Sequence, residues 1–254
     1  MDFGAASPIW AAIYGGAGAI IGSFVAALVL RWLDDRSVLT GRSACDACGA
    51  PLRVWELVPL LSALALRGRC ARCGARIDPA HVRIEALAML IGASAGWVAG
   101  PDGWTGALFG WSLLALGALD ALALWLPNRL TAWLAATGVA TGALGHGPPL
   151  GDRIVGGMIG FGLLVGISAG YRRWRGRDGM GGGDPKLMGA IGLWLGWWML
   201  PPILLTACII GLGYALFRHV VGRRRMAGND MVPLGLLLAL AAYPAWLLMI
   251  GMAA

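Results

Sequence analysis

Charge is what this chain has least of. Only 13% of its 254 residues are Asp, Glu, Lys or Arg, about half the share of a soluble domain. That scarcity excludes a soluble enzyme. Lysine occurs once, as Lys186. No basic segment precedes the first apolar stretch, where Asp2 stands instead. Residues 8–30 are therefore expected to form a membrane-spanning helix and not a cleavable signal. The net charge of +7 belongs, in so apolar a chain, to cytoplasmic loops and membrane lipid, so no nucleic-acid partner is expected.

What is abundant is apolar surface and glycine. Hydrophobic residues make up 58% of the chain, the mean hydropathy is +0.72, and there are 41 glycines. Apolar runs cover 8–30, 84–100, 104–126, 130–145, 154–171, 187–200, 202–217 and 231–252. They predict an all-α, polytopic membrane helix bundle of about eight transmembrane helices, whose small residues let helices approach closely. Several runs are shorter than the ~20 residues of a straight span, and 187–200 is expected to be partly re-entrant. With the N-terminus outside, the loops 31–83, 127–130, 172–186 and 218–230 hold nine, one, five and four basic residues, 19 of the chain's 20. Arg153 alone falls on the other side. This split supports both the span count and the orientation, with those loops cytoplasmic.

The longest of these loops carries two Cys-x-x-Cys knuckles, Cys45/Cys48 and Cys70/Cys73, with 21 residues between them. Each is followed by a glycine, Gly49 or Gly74, as a tight turn around a metal requires. The pattern predicts a small cytosolic tetracysteine lobe holding one structural zinc ion. Disulfides or free thiols are the other readings, and the reducing cytosol disfavours disulfides. Between the knuckles, Leu57, Leu60, Leu61 and Leu64 fall at helical spacing within Trp55–Leu66. That segment is expected to be a helix lying on the membrane surface, or else the core of the lobe. Cys208, alone in an apolar run, reads as an ordinary buried residue.

Two acids stand out. Asp120 lies inside the run Leu113–Leu126, where an ionised and unpaired carboxylate would be costly. It reads as a functional residue or as a polar contact between helices. Asp184 follows Gly179-Met-Gly-Gly-Gly183 and precedes Pro185 and Lys186. Gly181 and Gly183 are expected to let backbone and substrate approach and to permit positive φ. On its own this stretch also fits a loop in which Asp184 caps a helix. Both acids sit at the cytoplasmic ends of separate spans, so they can meet. Two carboxylates held close share a proton. The ionised one can take a proton from water while the protonated one donates to a scissile carbonyl, which is peptide hydrolysis without metal or covalent intermediate. Lys186 reads first as a positive-inside anchor, and otherwise as a group holding one carboxylate ionised or binding an acidic part of the substrate.

These residues resemble the type IV prepilin leader peptidases, membrane aspartic proteases of the GxGD type. The resemblance runs from Gly22-Ser-Phe24 through the tetracysteine region and Arg83-Ile-Glu85. It continues through Asp120 with Leu126-Pro127 and Gly179–Leu187, and ends at Val232-Pro-Leu-Gly235. Two places depart from the family pattern. Leu122 stands where many members carry a further acid, and Asn128 where they often have Asp. The resemblance implies a first transmembrane helix over 1–30, a cytosolic zinc-binding loop over 31–83 and a membrane peptidase core over 84–254. It implies Asp120 and Asp184 as the catalytic pair. It further implies cleavage of prepilin or pseudopilin leaders at the cytoplasmic face of the bacterial inner membrane, in service of type IV pili or type II secretion. N-methylation of the new terminus from S-adenosylmethionine would follow. The competing reading is a non-enzymatic scaffold or a transporter with a zinc-stabilised lobe.

Overall fold

The computed structural model describes residues 7–34, 36, 43–221 and 232–253. Among them there are no strands beyond two isolated bridges within the cysteine lobe. The helices are α1 (Pro8–Leu33), α2 (Leu61–Ala65), α3 (Pro79–Ala99), α4 (Gly103–Ala123), α5 (Asn128–Ala143), α6 (Leu150–Arg175), α7 (Asp184–Leu195), α8 (Leu200–Val221) and α9 (Leu234–Ala253). Each apolar run of the sequence carries one of the long helices. Proline opens α1 and α3, where its missing N–H costs nothing, and Asp78 caps α3 by accepting from the Ala80 N–H at 2.8 Å. Gly176, left-handed at φ 69°, stops α6 behind a last turn rich in arginine.

Five stretches are long and apolar enough to cross a membrane: Pro8–Leu33, Pro79–Ala123, Leu150–Arg175, Trp197–Arg218 and Leu234–Met252. The second comprises α3 and α4, which break at Gly100. At 16 and 12 residues, α5 and α7 fall short of a straight span. Helix length therefore does not establish eight crossings.

The chain forms two compact units, one up to Ala115 and one from Leu116 to Ala253. In the first, α1 and α3 run antiparallel in backbone contact. A Cβ on Gly18 would lie 2.2 Å from the Ala88 oxygen, and one on Gly92 2.0 Å from the Tyr14 oxygen. Only glycine permits that approach. The segment Trp55–Leu66 is not one helix. A 3₁₀ turn over Val54–Leu57 and the short α2 are separated by Pro59 and by Leu60 at φ 61°. Proline supplies no N–H and pushes Val58 into the extended region, so the helical ladder breaks there. Leu57, Leu61 and Leu64 remain exposed, which removes the reading of this stretch as the core of the lobe.

The second unit is built around α7, in which every residue except Lys186 and Leu193 is buried. It runs antiparallel to α6, again in backbone contact: a Cβ on Gly192 would sit 2.3 Å from the Gly156 oxygen. Trp194 donates its indole N–H to the Leu134 oxygen of α5 at 2.7 Å. Cys208 is exposed on α8 beside Leu205, Ile209 and Leu212, contrary to the expectation that it is buried. A lipid-facing helix side is as apolar as a core-facing one, so composition alone did not separate them.

Arg153 is not a loop charge. It lies in the first turn of α6, only 2% exposed. It donates to the oxygens of Gly138 at 2.7 Å, Pro148 at 3.0 Å, Leu193 at 3.4 Å and His146, and to Thr141 Oγ1 at 3.0 Å. One side chain thus ties α5, the following loop, α6 and the carboxyl end of α7. We expect Arg153→Ala to destabilise the protein by about 3 kcal/mol or more, because several buried acceptors lose their donor. Thermal melting in detergent checks this, and an unchanged melting temperature would mean that the tie carries no stability.

Candidate active site

Asp120 lies in the last turn of α4 and Asp184 is the first residue of α7, and both are buried, at 5% and 6% exposure. The turn after α4 is tight. Leu124 adopts φ 51° and its N–H returns to the Asp120 oxygen at 2.9 Å. Leu126 and Pro127 then lead into α5. The charge of Asp120 acts on Asp184, and Gly183, next to Asp184, packs on Leu126 of the turn that follows Asp120. The structure therefore brings together the two acids that the sequence singles out.

Asp184 is not a helix cap. Gly183 occupies that place without a side-chain bond, and Asp184 sits one residue inside, where the helix dipole favours a negative group. The loop glycines do not adopt positive φ; none of Gly179, Gly181, Gly182 or Gly183 does so. They supply room instead. A Cβ on Gly183 would lie 2.7 Å from Leu126 Cβ, and one on Gly181 would lie 3.4 Å from Asp184 Oδ2. Gly183 thereby lets the loop close onto the turn that carries Asp120.

Lys186 Nζ donates to Asn128 Oδ1 at 2.7 Å, tying the first turns of α5 and α7. Its contact is a neutral amide, so its charge is not cancelled there. Beside it a groove of about 620 Å³ runs between α5, α6 and α7, lined by Ala135, Met158, Phe161 and Gly189 among others.

One contribution has no signature in side-chain chemistry. The N–H of Leu236, in the first turn of α9, donates to Asp120 Oδ2 at 2.9 Å. The only sequence signal was the segment Val232–Gly235 at the start of an apolar run.

In the first unit, the knuckles repeat one local structure. The Gly49 N–H returns to the Cys45 oxygen at 2.8 Å and the Gly74 N–H to the Cys70 oxygen at 3.0 Å, with the two glycines at φ 67° and 71°. The four sulfurs lie within 4.8 Å of one another, and Cys45 Sγ is 3.9 Å from Cys73 Sγ. Zinc–sulfur bonds of about 2.3 Å place tetrahedral sulfurs about 3.8 Å apart, so Cys45, Cys48, Cys70 and Cys73 suit a metal ion. Glu85, on α3, is buried and accepts the Leu60 N–H at 2.9 Å, anchoring the strained Leu60 turn.

Comparison with known proteins agrees with this layout. Residues 17–99 match the bacterial peptidase A24 N-terminal domain, and residues 107–216 match the type IV leader peptidase family. The chain is 34% identical to a prepilin leader peptidase/N-methyltransferase of Burkholderia pseudomallei (strain K96243), over 87% of this chain and 80% of that protein. It is 35% identical to the protein of that name from Aeromonas hydrophila (83% and 73%) and 32% identical to that of Neisseria gonorrhoeae (79% and 72%). No solved structure matches significantly. With two acids from separate helices meeting at the ends of apolar segments, and relatives of this identity along most of its length, the chain belongs to the type IV leader peptidase family.

Proposed function

We propose that this protein cleaves the leader of prepilins or pseudopilins at the cytoplasmic face of the bacterial inner membrane, and that Asp120 and Asp184 do the chemistry. The observation that carries this reading is the meeting of two buried carboxylates from α4 and α7. Such a pair holds one proton between its members. The ionised carboxylate takes a proton from water as the water attacks the scissile carbonyl, and the protonated one hydrogen-bonds the carbonyl oxygen. The apolar groove beside Lys186 suits the apolar segment that follows a leader. Gly181 and Gly183 leave room at the pair, and Lys186 supports the loop through Asn128. Membership of the leader peptidase family favours this over a scaffold or a transporter. The cytoplasmic placement rests on the split of basic residues.

Asp120→Asn and Asp184→Asn should each abolish leader cleavage while the protein still inserts, since losing an acid–base group costs ~10²–10⁴-fold. The double variant should be no worse than either single one, because the pair acts as a unit. Cleavage of a purified prepilin measures this. Retention of more than roughly a tenth of wild-type activity by one variant would remove that residue from the chemistry.

The tetracysteine lobe holds zinc in this reading, and the ion folds a segment too small for a core of its own. Pure protein should carry one zinc per chain. Replacing Cys70 and Cys73 by Ser should release it and loosen the lobe more than the membrane helices. Metal analysis finding no zinc, with four freely reactive lobe thiols, would refute this assignment.

The relatives' names pair cleavage with N-methylation, and we extend both to this chain, with S-adenosylmethionine as methyl donor. Mass spectrometry of the product from a reconstitution containing only this protein, a prepilin and S-adenosylmethionine should show a methylated new terminus. A fully cleaved but unmethylated product would assign the methyl step to another protein.

A further inference from the structure

The two acids differ in what surrounds them. Asp120 Oδ2 accepts the Leu236 N–H at 2.9 Å, and the Gly235 N–H bears on the same carboxylate. Both amides belong to the first turn of α9. N–H groups there have no partner in their own helix and form the positive end of its dipole. Asp184 also stands in a helix first turn, that of α7, but among the described residues the backbone group that bears on its carboxylate is Gly181, in an exposed loop. The fit at Asp120 is close. A Cβ on Gly235 would lie 2.9 Å from Asp120 Oδ2 and 3.0 Å from Leu126 Cδ1, so residue 235 must lack a side chain for α9 to present its amides. Donors aimed at a carboxylate favour its ionised form.

We propose that the backbone amides of Gly235 and Leu236 are positioning groups that keep Asp120 ionised, which makes Asp120 the acceptor of the water proton and Asp184 the carrier of the shared proton. This rests on the aspartyl reading above and gives its two acids separate tasks. The water oxygen bonds to the scissile carbon as its proton passes to Asp120 and the Asp184 proton passes to the carbonyl oxygen. When the gem-diol collapses, the C–N bond breaks and the Asp120 proton goes to the departing nitrogen. Asp184 recovers its proton from the diol, and the pair is restored.

The test compares Leu236→Pro with Leu236→Ala. Both remove the leucine side chain, and only proline removes the N–H, at a first-turn position where proline is tolerated. We expect Leu236→Pro to lower kcat by a further ~10²-fold, the usual cost of one preorganised donor, with KM within about twofold of Leu236→Ala. The acid limb of the pH–rate profile should move to higher pH, since Asp120 loses a donor that favours ionisation. Among the described residues, the titratable group that acts on Asp120 is Asp184 of α7. The first turn of α9 contributes none, and Lys186 is engaged with Asn128. Gly235→Ala, which crowds the carboxylate off its amides, should reproduce the kcat loss and the limb shift if Leu236→Pro does not fold. Kinetics of Leu236→Pro equal to those of Leu236→Ala would overturn the inference. So would losses in kcat, KM and melting temperature together without a limb shift, and so would an unmoved limb in Gly235→Ala. Substantial cleavage by Asp120→Asn would instead overturn the aspartyl reading itself.

Discussion

Burying two carboxylates near enough to feel each other's charge in a low-dielectric bundle is the constraint on which the second unit depends. Each is costly to ionise alone, and the cost grows when they are neighbours. The fold meets this with helix amino ends. Asp184 occupies the first turn of α7, and Asp120 faces the first turn of α9. Two helix dipoles thus present their positive ends to one place. Backbone amides do this without another buried charge, which would itself need a partner.

That arrangement demands that α7 stand deep among its neighbours, and glycine makes this possible. Gly156 and Gly192 bring the backbones of α6 and α7 into contact, as Gly18 and Gly92 do for α1 and α3. In a membrane the hydrophobic effect does little to hold helices together, so such close approach and the hydrogen bonds across it carry the association. The bond from Trp194 to the Leu134 oxygen is one of these.

The sequence announces its side chains more clearly than its backbone. Asp120 is legible because a carboxylate inside an apolar run has few ordinary explanations, and Asp184 because the topology puts it on the same membrane face as Asp120. The knuckles were legible because Cys-x-x-Cys-Gly encodes both ligand and turn, and Gly49 and Gly74 do adopt positive φ. The glycines before Asp184 were misread in conformation: they give room to Leu126 and to Asp184 itself, and their φ is ordinary. Periodicity across Trp55–Leu66 suggested one helix because leucine spacing does not register the break that Pro59 imposes. Leu236 was invisible as a functional position, since every residue but proline has an N–H and only the fold decides where it points. Arg153 reads in the sequence as a loop charge, because a lone basic residue between two apolar runs marks a boundary; its burial depends on carbonyls gathered from α5, α7 and the loop after α5.

The two ends of α7 are fastened by opposite means. Asp184 opens it, and Arg153 reaches the Leu193 oxygen in its last turn. A helix held this way has a set length. One inserted residue would rotate one fastening against the other by about 100° and lengthen the rod by about 1.5 Å. Arg153 would then lose its carbonyl, or Asp184 would leave its partner. The twelve residues of α7 therefore act as a gauge between a buried acid and a buried base, and insertions or deletions should be far less acceptable here than in the exposed lobe.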